Sequence, residues 1–250
     1  MNSKKSFLCI DIGNTTTHIG KFINDQLLLD FRISTKNIRR ELLALHEIMD
    51  SNFPVSYCSV VPKAEAILHN LLVKKKISSF NLNHKTNTKL PICYPNPLEI
   101  GQDRIANSLA VYLKHELPCV IIDVGTATTF DIIFNKQGYI GGVIAPGPQG
   151  FLDFLHQNTA QLPKLNITDD KMSAIGKSTA QAMQLGVKYG YPAMVNGILN
   201  QIEKSYNDSF NQLNILYTGG GQNIIKNKSN HYSPNLTLEG LALAFQLNNT

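Results

Sequence analysis

The sequence predicts an α/β protein built from two similar domains with a cleft between them. Three observations carry that expectation. The stretch "FLCIDIGNTTTHIGKF" at 7–22 returns without a gap as "CVIIDVGTATTFDIIF" at 119–134. Asp11 matches Asp123, Gly13 matches Gly125, Thr16 matches Thr128 and Thr17 matches Thr129, at one offset close to half the chain. Self-similarity at a constant spacing indicates two copies of one structural unit. Each half opens with three strand-like runs and then alternates strand and helix, a mix that argues α/β layering.

The elements follow in order. Residues 6–12 are a short apolar run, read as a buried strand, and a turn follows at Gly13-Asn14. Residues 17–23 and 27–33 continue as two more strands of an antiparallel meander. In "NIRRELLALHEIM", Ile38, Leu42, Leu45 and Met49 recur at helical spacing. "VSYCSVV" reads as strand, "AEAILHNLLVKK" as helix and "ISSFNL" as strand, giving the order βββαβαβ. Residues 83–100 then break the pattern. Asn, Thr and the prolines 91, 95 and 97 dominate, and a loop of that length inside a compact chain is often functional. "DRIANSLAVYLKHE" resumes a helix that Pro118 ends. The second half restarts with strands at 119–124, 128–134 and 139–144, followed by the Gly/Pro segment "GGVIAPGPQGF". Helices are expected at 149–157 and 178–205, then the strand "LNILYTGGG" and a last helix, "LEGLALAFQL".

Bulk properties exclude several classes. A chain of 250 residues with 43% hydrophobic and 16% charged side chains can bury a large core and is not a disordered polypeptide. The net charge of +5 is spread thinly, and its clusters, Arg39-Arg40 and Lys74-Lys75-Lys76, are short. No nucleic-acid-binding motif accompanies them, so no nucleic-acid partner is expected, although a mild positive bias suits an anionic small substrate. The apolar run before Asp11 is too short for a signal peptide, and no stretch approaches the roughly 18 apolar residues of a membrane span. A soluble, cytoplasmic protein with no membrane partner is expected. Cys9, Cys58, Cys93 and Cys119 are widely spaced, which favours free thiols over disulfides or a metal site.

The repeated hairpin suggests its chemistry. A strand ending in Asp-x-Gly-x-x-Thr brings three groups to one tip. Gly lets backbone approach a ligand, successive N–H groups form an anion nest, and Asp offers a hard oxygen for Mg²⁺ or its waters. Asn14, Thr15, Thr16 and Thr17 add amide and hydroxyl donors. These are the parts needed to hold a polyphosphate and its metal, and two copies could grip one nucleotide. "IGKS" at 175–178 ends like a P-loop, but the required Gly position holds Lys171. "TGGG" at 218–221 is either a strand-to-helix turn or a glycine platform for an adenine face. "GQDR" at 101–104, where the long loop meets a helix, is the acceptor-side candidate. Asp103 there is either an N-cap or the acceptor of a substrate hydroxyl proton, and Arg104 either an exposed cation or a two-pronged anion clamp.

"DIGNT", "YPNPLEIGQDR", "DVGTATT", "GGVIAPG", "STAQAM" and "TGG" occur in the order seen in type III pantothenate kinases, and in this set the chain resembles that family over nearly its whole length. The resemblance implies two tandem RNase-H-like (actin-like ATPase) domains with a central nucleotide cleft. It divides the chain into 1–117, with the first phosphate hairpin and the pantothenate loop, and 118–250, with the second hairpin, a dimerisation helix and an adenosine motif. It implies ATP-dependent phosphorylation of pantothenate to 4′-phosphopantothenate, the first step toward coenzyme A. By position, Asp11, Ile12, Gly13, Asn14, Thr15, Thr16, Thr17 and His18 would bind ATP, with Thr126 from the second hairpin. Tyr94, Gly101, Gln102, Asp103 and Arg104 would contact pantothenate, with Asp103 as the proton acceptor. Thr179 would reach pantothenate from the second subunit of a homodimer, and Asp123 would bind potassium or ammonium alongside Mg²⁺ at the phosphates. Two departures stand out. His18 replaces a Lys common at the end of the first loop, with Lys21 nearby as a possible substitute cation, and Ser178 precedes Thr179 where Asn is frequent.

Two rivals belong beside this reading: an accessory transcriptional regulator on the same scaffold, and a kinase of another small alcohol. The first should have lost the Asp103-Arg104 pair or a hairpin Asp, and the second lacks a reason for "YPNP…GQDR".

Overall fold

The structure, a computed structural model, describes residues 6–44, 53–87, 89–168, 173–206, 213–221, 225 and 231–248. Its contacts gather the chain into two compact units. One holds the residues up to Glu116, Ile133–Ile140 and the segment from Asn235; the other holds Leu117–Ile132 and Gly141–Pro234.

The first sheet is built from β1 (Ser6–Ile12), β2 (Thr16–Ile23), β3 (Gln26–Ser34), β4 (Val55–Ser59) and β5 (Ser79–Asn81), in the order β3-β2-β1-β4-β5. The meander β1-β2-β3 is antiparallel, while β4 runs parallel to β1 and β5 parallel to β4. On one face lie α1 (Ile38–Ala44) and α2 (Pro62–Lys75). Leu8, Ile10, Ile12 and Ile19 of the sheet meet Ile38, Leu42, Leu68 and Leu72 there in one buried cluster. The side chains repeat with period two along the strands and at helical spacing along the helices, as the sequence predicts. Leu45 and Met49, also expected on α1, lie outside the described residues.

The opposite face carries α3 (Gln102–Lys114) and α6 (Leu236–Asn248). Phe7 stacks between Phe22 and Phe245, with ring centroids 5.4 and 4.8 Å away, and the buried Ser56 hydroxyl donates to the Leu241 carbonyl. Thus the last helix, which the 118–250 division includes, packs in the first unit.

The second sheet repeats the plan. It contains β6 (Cys119–Val124), β7 (Ala127–Phe134), β8 (Gly138–Pro146), β9 (Asn214–Thr218) and β10 (His231–Tyr232), in the order β10-β9-β6-β7-β8. Read outward from β1 and from β6, the two orders are the same, so the repeated motif occupies equivalent central strands. The two-residue β10 has no counterpart among the expected strands. In the second unit α4 (Pro148–Gln157) and α5 (Thr179–Tyr206) complete the helices. Among the described residues no helix is long and apolar enough to cross a membrane. Cys9, Cys58 and Cys119 are buried free thiols and Cys93 an exposed one.

Candidate active site

The first hairpin joins β1 to β2 through a tight turn. Gly13 N–H donates to the Thr16 carbonyl at 3.1 Å, and a Cβ on Gly13 would crowd that same oxygen. The Thr35 hydroxyl braces the turn from behind, donating to the Gly13 carbonyl at 2.8 Å and lying 2.9 Å from the Thr17 hydroxyl. Asn14 and Thr15 are exposed and Gly13 and Thr16 partly so, whereas Ile12, Thr17 and His18 are buried. The tip therefore presents backbone and small polar groups to solvent, while Thr17 commits its hydroxyl to Thr35.

Register sets what surrounds Asp11. It pairs with His18 on β2 and with Cys58 on β4, and His18 pairs with Arg32 on β3. The Cys58 thiol lies 3.5 Å from Asp11 Oδ1, placed to donate to it. Burial, followed by the charges of Asp11 and Asp103, pushes that thiol far above its ordinary pKa, so it stays protonated as a donor. His18 Nε2 lies 2.8 Å from Asp30 Oδ2. Burial, helped by the Arg32 charge, lowers its pKa against the raising effect of Asp30, which keeps the imidazole neutral at neutral pH. Lys21 does not take over the missing charge at position 18. Its ammonium sits 4.4 Å above the Phe53 ring, on the opposite side of β2 by strand alternation.

The acceptor side is built on α3. Gly101 is the N-cap residue, and Asp103 lies inside the first turn rather than at the cap itself. Asp103 Oδ1 accepts the Arg104 N–H at 2.8 Å. A Cβ on Gly101 would stand 2.5 Å from the same oxygen, so the glycine is what makes room for the carboxylate. Asp103 is largely enclosed but keeps part of its surface accessible, and the loss of solvent raises its pKa above the usual carboxylate range despite the Arg104 N–H and charge. Gln102 ties the helix start to the sheet: its Oε1 accepts Ser59 N–H at 2.8 Å and Asn81 Nδ2 at 3.1 Å. The long loop is pinned rather than irregular. Thr86 and Asn83 bond back to Asn81, and Asn87 bonds the Leu90 carbonyl. Tyr94 is half-buried, with its ring edge toward Tyr139.

In the second unit Asp123 is the penultimate residue of β6, beside an exposed tip of Gly125, Thr126 and Ala127. Gly147 N–H donates to the Thr126 carbonyl, and a Cβ on Gly147 would collide with the Gly125 and Thr126 carbonyls. Thr128, fully buried, lies 2.7 Å from the Tyr191 hydroxyl of α5, whose pKa burial pushes up to about 12. Gly219, at φ +88°, and Gly221 pack on the end of β6, where a Cβ at 219 would lie 2.5 Å from Asp123 Oδ1. These two glycines are therefore needed for close backbone packing, the turn alternative for "TGGG"; Gly220 borders open space. Thr179 is exposed at the start of α5. Ser178 accepts the Gln181 N–H at 3.2 Å, while Gln181 Oε1 accepts the Lys177 N–H at 2.8 Å. Ser and Asn cap helices about equally well, which makes the Ser178 departure locally neutral.

Sequence reasoning missed Cys58 and Tyr139, both of which touch candidate site residues. No local motif marks either one, because only strand pairing brings them there.

The type III pantothenate kinase family model matches residues 7–201. The chain is 36% identical to the type III pantothenate kinase of Legionella pneumophila strain Paris, covering 96% of this chain and 98% of that protein. It is 32% identical to that of Streptomyces coelicolor, over 96% and 98%. Among solved structures, a protein of Campylobacter jejuni described as a Baf family transcriptional activator aligns with a TM-score of 0.62 at 21% identity, over 97% of this chain and 99% of that one. A ROK family glucokinase from Streptomyces griseus, in complex with glucose and AMPPNP, aligns with a TM-score of 0.56 at 11% identity, over 96% and 99%. At such identities these two structures speak for the actin-like ATPase and sugar-kinase fold alone. A family model covering most of the chain, and full-length relatives above 30% identity, establish that this chain belongs to the type III pantothenate kinase family.

Proposed function

We propose that this chain transfers the γ-phosphoryl group of ATP to the primary hydroxyl of pantothenate, releasing ADP and 4′-phosphopantothenate, and that Asp103 is the proton acceptor. Besides family membership, the observation that carries the assignment is the enclosed Asp103, with a raised pKa, in the first turn of α3 beside Arg104. Its Oδ1 accepts the Arg104 N–H, a bond that helps to orient the carboxylate. As the hydroxyl oxygen bonds to the γ-phosphorus, the bond to the β-phosphate oxygen breaks and the hydroxyl proton passes to Asp103. A base of raised pKa is better matched to neutral pH than an ordinary carboxylate. Tyr94 and Gly101–Arg104 hold pantothenate, and Arg104 pairs with its carboxylate.

The tip Asp11–His18 and Thr126 hold the ATP phosphates, chiefly through the accessible groups of residues 13–16. Asp11 is the residue to hold Mg²⁺, which when bound neutralises phosphate charge. One carboxylate suits an ion whose other ligands are phosphate oxygens and water, and among the described residues no group of three or more His, Cys, Asp or Glu could hold a metal. Asp123, partly accessible at the end of β6, is the residue to hold potassium or ammonium. Gly220 offers room for an adenine face. The protein acts as a cytoplasmic homodimer in which Thr179 of a second copy completes the pantothenate site.

An ADP-release assay with pantothenate, against a panel of sugars and short acids, tests the reading. Turnover restricted to pantothenate supports it. Turnover with a sugar instead points to another small alcohol, and nucleotide binding without turnover favours a regulator on the same scaffold.

A further inference from the structure

We propose that Gly138 and Tyr139, at the start of β8, form a clip that positions both arms of the acceptor site, making Tyr139 a positioning residue for acceptor binding. The inference rests on the assignment of Tyr94 and Arg104 to pantothenate.

Four observations support the clip. Tyr139 bonds the acceptor loop through its backbone in both directions: its N–H donates to the Pro91 carbonyl at 2.9 Å, and its carbonyl accepts the Cys93 N–H at 2.8 Å. Between those bonds Ile92 bridges to Gly138 and Tyr139. Gly138 has φ +64°, and a Cβ there would collide with the Pro91 carbonyl, so only glycine permits this approach. Tyr139 is 1% exposed, and its ring serves as a shared support. Tyr94 meets it edge-on at 5.9 Å and 68°, and the Arg104 guanidinium lies over it at 5.8 Å. Finally, the Tyr112 hydroxyl of α3 donates to the Asn135 carbonyl at 3.1 Å, joining this strand connection to the helix that carries Arg104.

Tyr94 sits on a loop and Arg104 on a helix. One buried ring under both converts two independently mobile side chains into a preorganised pair. Edge-on aromatic contacts and cations above a ring face are both favourable, and holding groups in place lowers the ordering cost of binding. The ring contacts of Tyr139 named above go to Tyr94 and Arg104, so the effect should fall chiefly on the acceptor.

The test is steady-state kinetics on the full-length protein, with folding followed by circular dichroism. Tyr139→Met replaces the ring with a flexible chain of similar reach, and Tyr139→Phe retains the ring. The expected result is a rise in the pantothenate KM of about tenfold for Tyr139→Met, with the ATP KM little changed and a lower melting temperature, since a buried ring is lost. Tyr139→Phe should restore the pantothenate KM toward wild type. Combined with Arg104→Gln, Tyr139→Met should cost less than the product of the single effects, because both act through one contact. A pantothenate KM within twofold of wild type in Tyr139→Met, or equal rises in both KM values, overturns the clip. Should Tyr139→Met not fold, Gly138→Ala attacks the same clip by pushing the loop away, and an unchanged pantothenate KM there overturns it equally. If Arg104→Gln itself leaves the pantothenate KM unchanged, the acceptor assignment falls and the clip with it. If Arg104→Gln is impaired while Tyr139→Met is not, only the clip falls.

Discussion

At the scale of single residues, the environment proposed to make Asp103 a proton acceptor also bears on stability. Its raised pKa means that the folded state binds the proton more tightly than the unfolded chain does. The sign follows from linkage: the carboxyl favours folding below its unfolded pKa, and that contribution is lost as pH rises through the folded value. At neutral pH the ionised carboxylate is therefore a burden on the fold. Asp103→Asn should lose about 10²–10⁴-fold in kcat, the usual range for a general base. It should also melt no lower than wild type at pH 7, because the buried charge is removed. Wild-type kcat should fall as pH drops through the raised pKa, and the variant should lose that limb. Turnover near wild type in Asp103→Asn would remove the residue from the chemistry. Gln102 makes a different case. Since its carbonyl oxygen accepts from both Ser59 N–H and Asn81, Gln102→Ala leaves a buried backbone donor unpaired. Urea denaturation should show a loss of about 1–3 kcal/mol; an unchanged midpoint would mean water replaces the bond.

At the scale of elements, the position of α3 is set by α6. A Cβ on Gly240 would collide with the Ala106 backbone, so the two helices approach as closely as a glycine allows. The Thr237 hydroxyl, which donates to Asn107 Oδ1 at 2.8 Å, adds a polar lock to the same interface. Gly240→Ala should destabilise by about 1–3 kcal/mol through overpacking. Because α3 carries Asp103 and Arg104, it should also lower kcat/KM for pantothenate. A stable variant with unchanged kinetics would show that the helix pair has slack that the close approach does not suggest. The two hairpins are elements of the same kind built with different braces. Thr35 supports the first from the turn just after β3, whereas Gly147 and Tyr191 support the second from just past β8 and from α5.

For the whole molecule, the two sheets share one strand order, so the duplication visible as two Asp-x-Gly-x-x-Thr stretches extends to topology. The two copies differ in their surroundings. The carboxylate of the first has a buried thiol as its neighbour, and that of the second has a left-handed glycine. Under the proposed function the first suits a divalent ion carried by phosphates and the second a monovalent ion. Replacing potassium and ammonium by sodium should therefore lower turnover, and Asp123→Ala should remove the difference between cations. Equal rates in all three salts for the wild type would deny Asp123 that role.

The strands, the helix periods and the repeated turn are local properties. Side-chain alternation, helical spacing and Gly/Asp/Thr turn chemistry declare them within a dozen residues, and for that reason the α/β class, the duplication and the turn positions of Asp11 and Asp123 were legible from the chain alone, whereas only the family resemblance favoured Asp103 as proton acceptor over a helix cap. Long-range packing was not. That the final helix belongs with the first unit, that Cys58 lies against Asp11, that Lys21 turns to Phe53 and that Tyr139 supports Tyr94 and Arg104 all depend on strand register and on which surfaces meet. Contacts between residues far apart in the chain leave no local pattern, because a hydrophobic face specifies that it must be covered and not which segment will cover it.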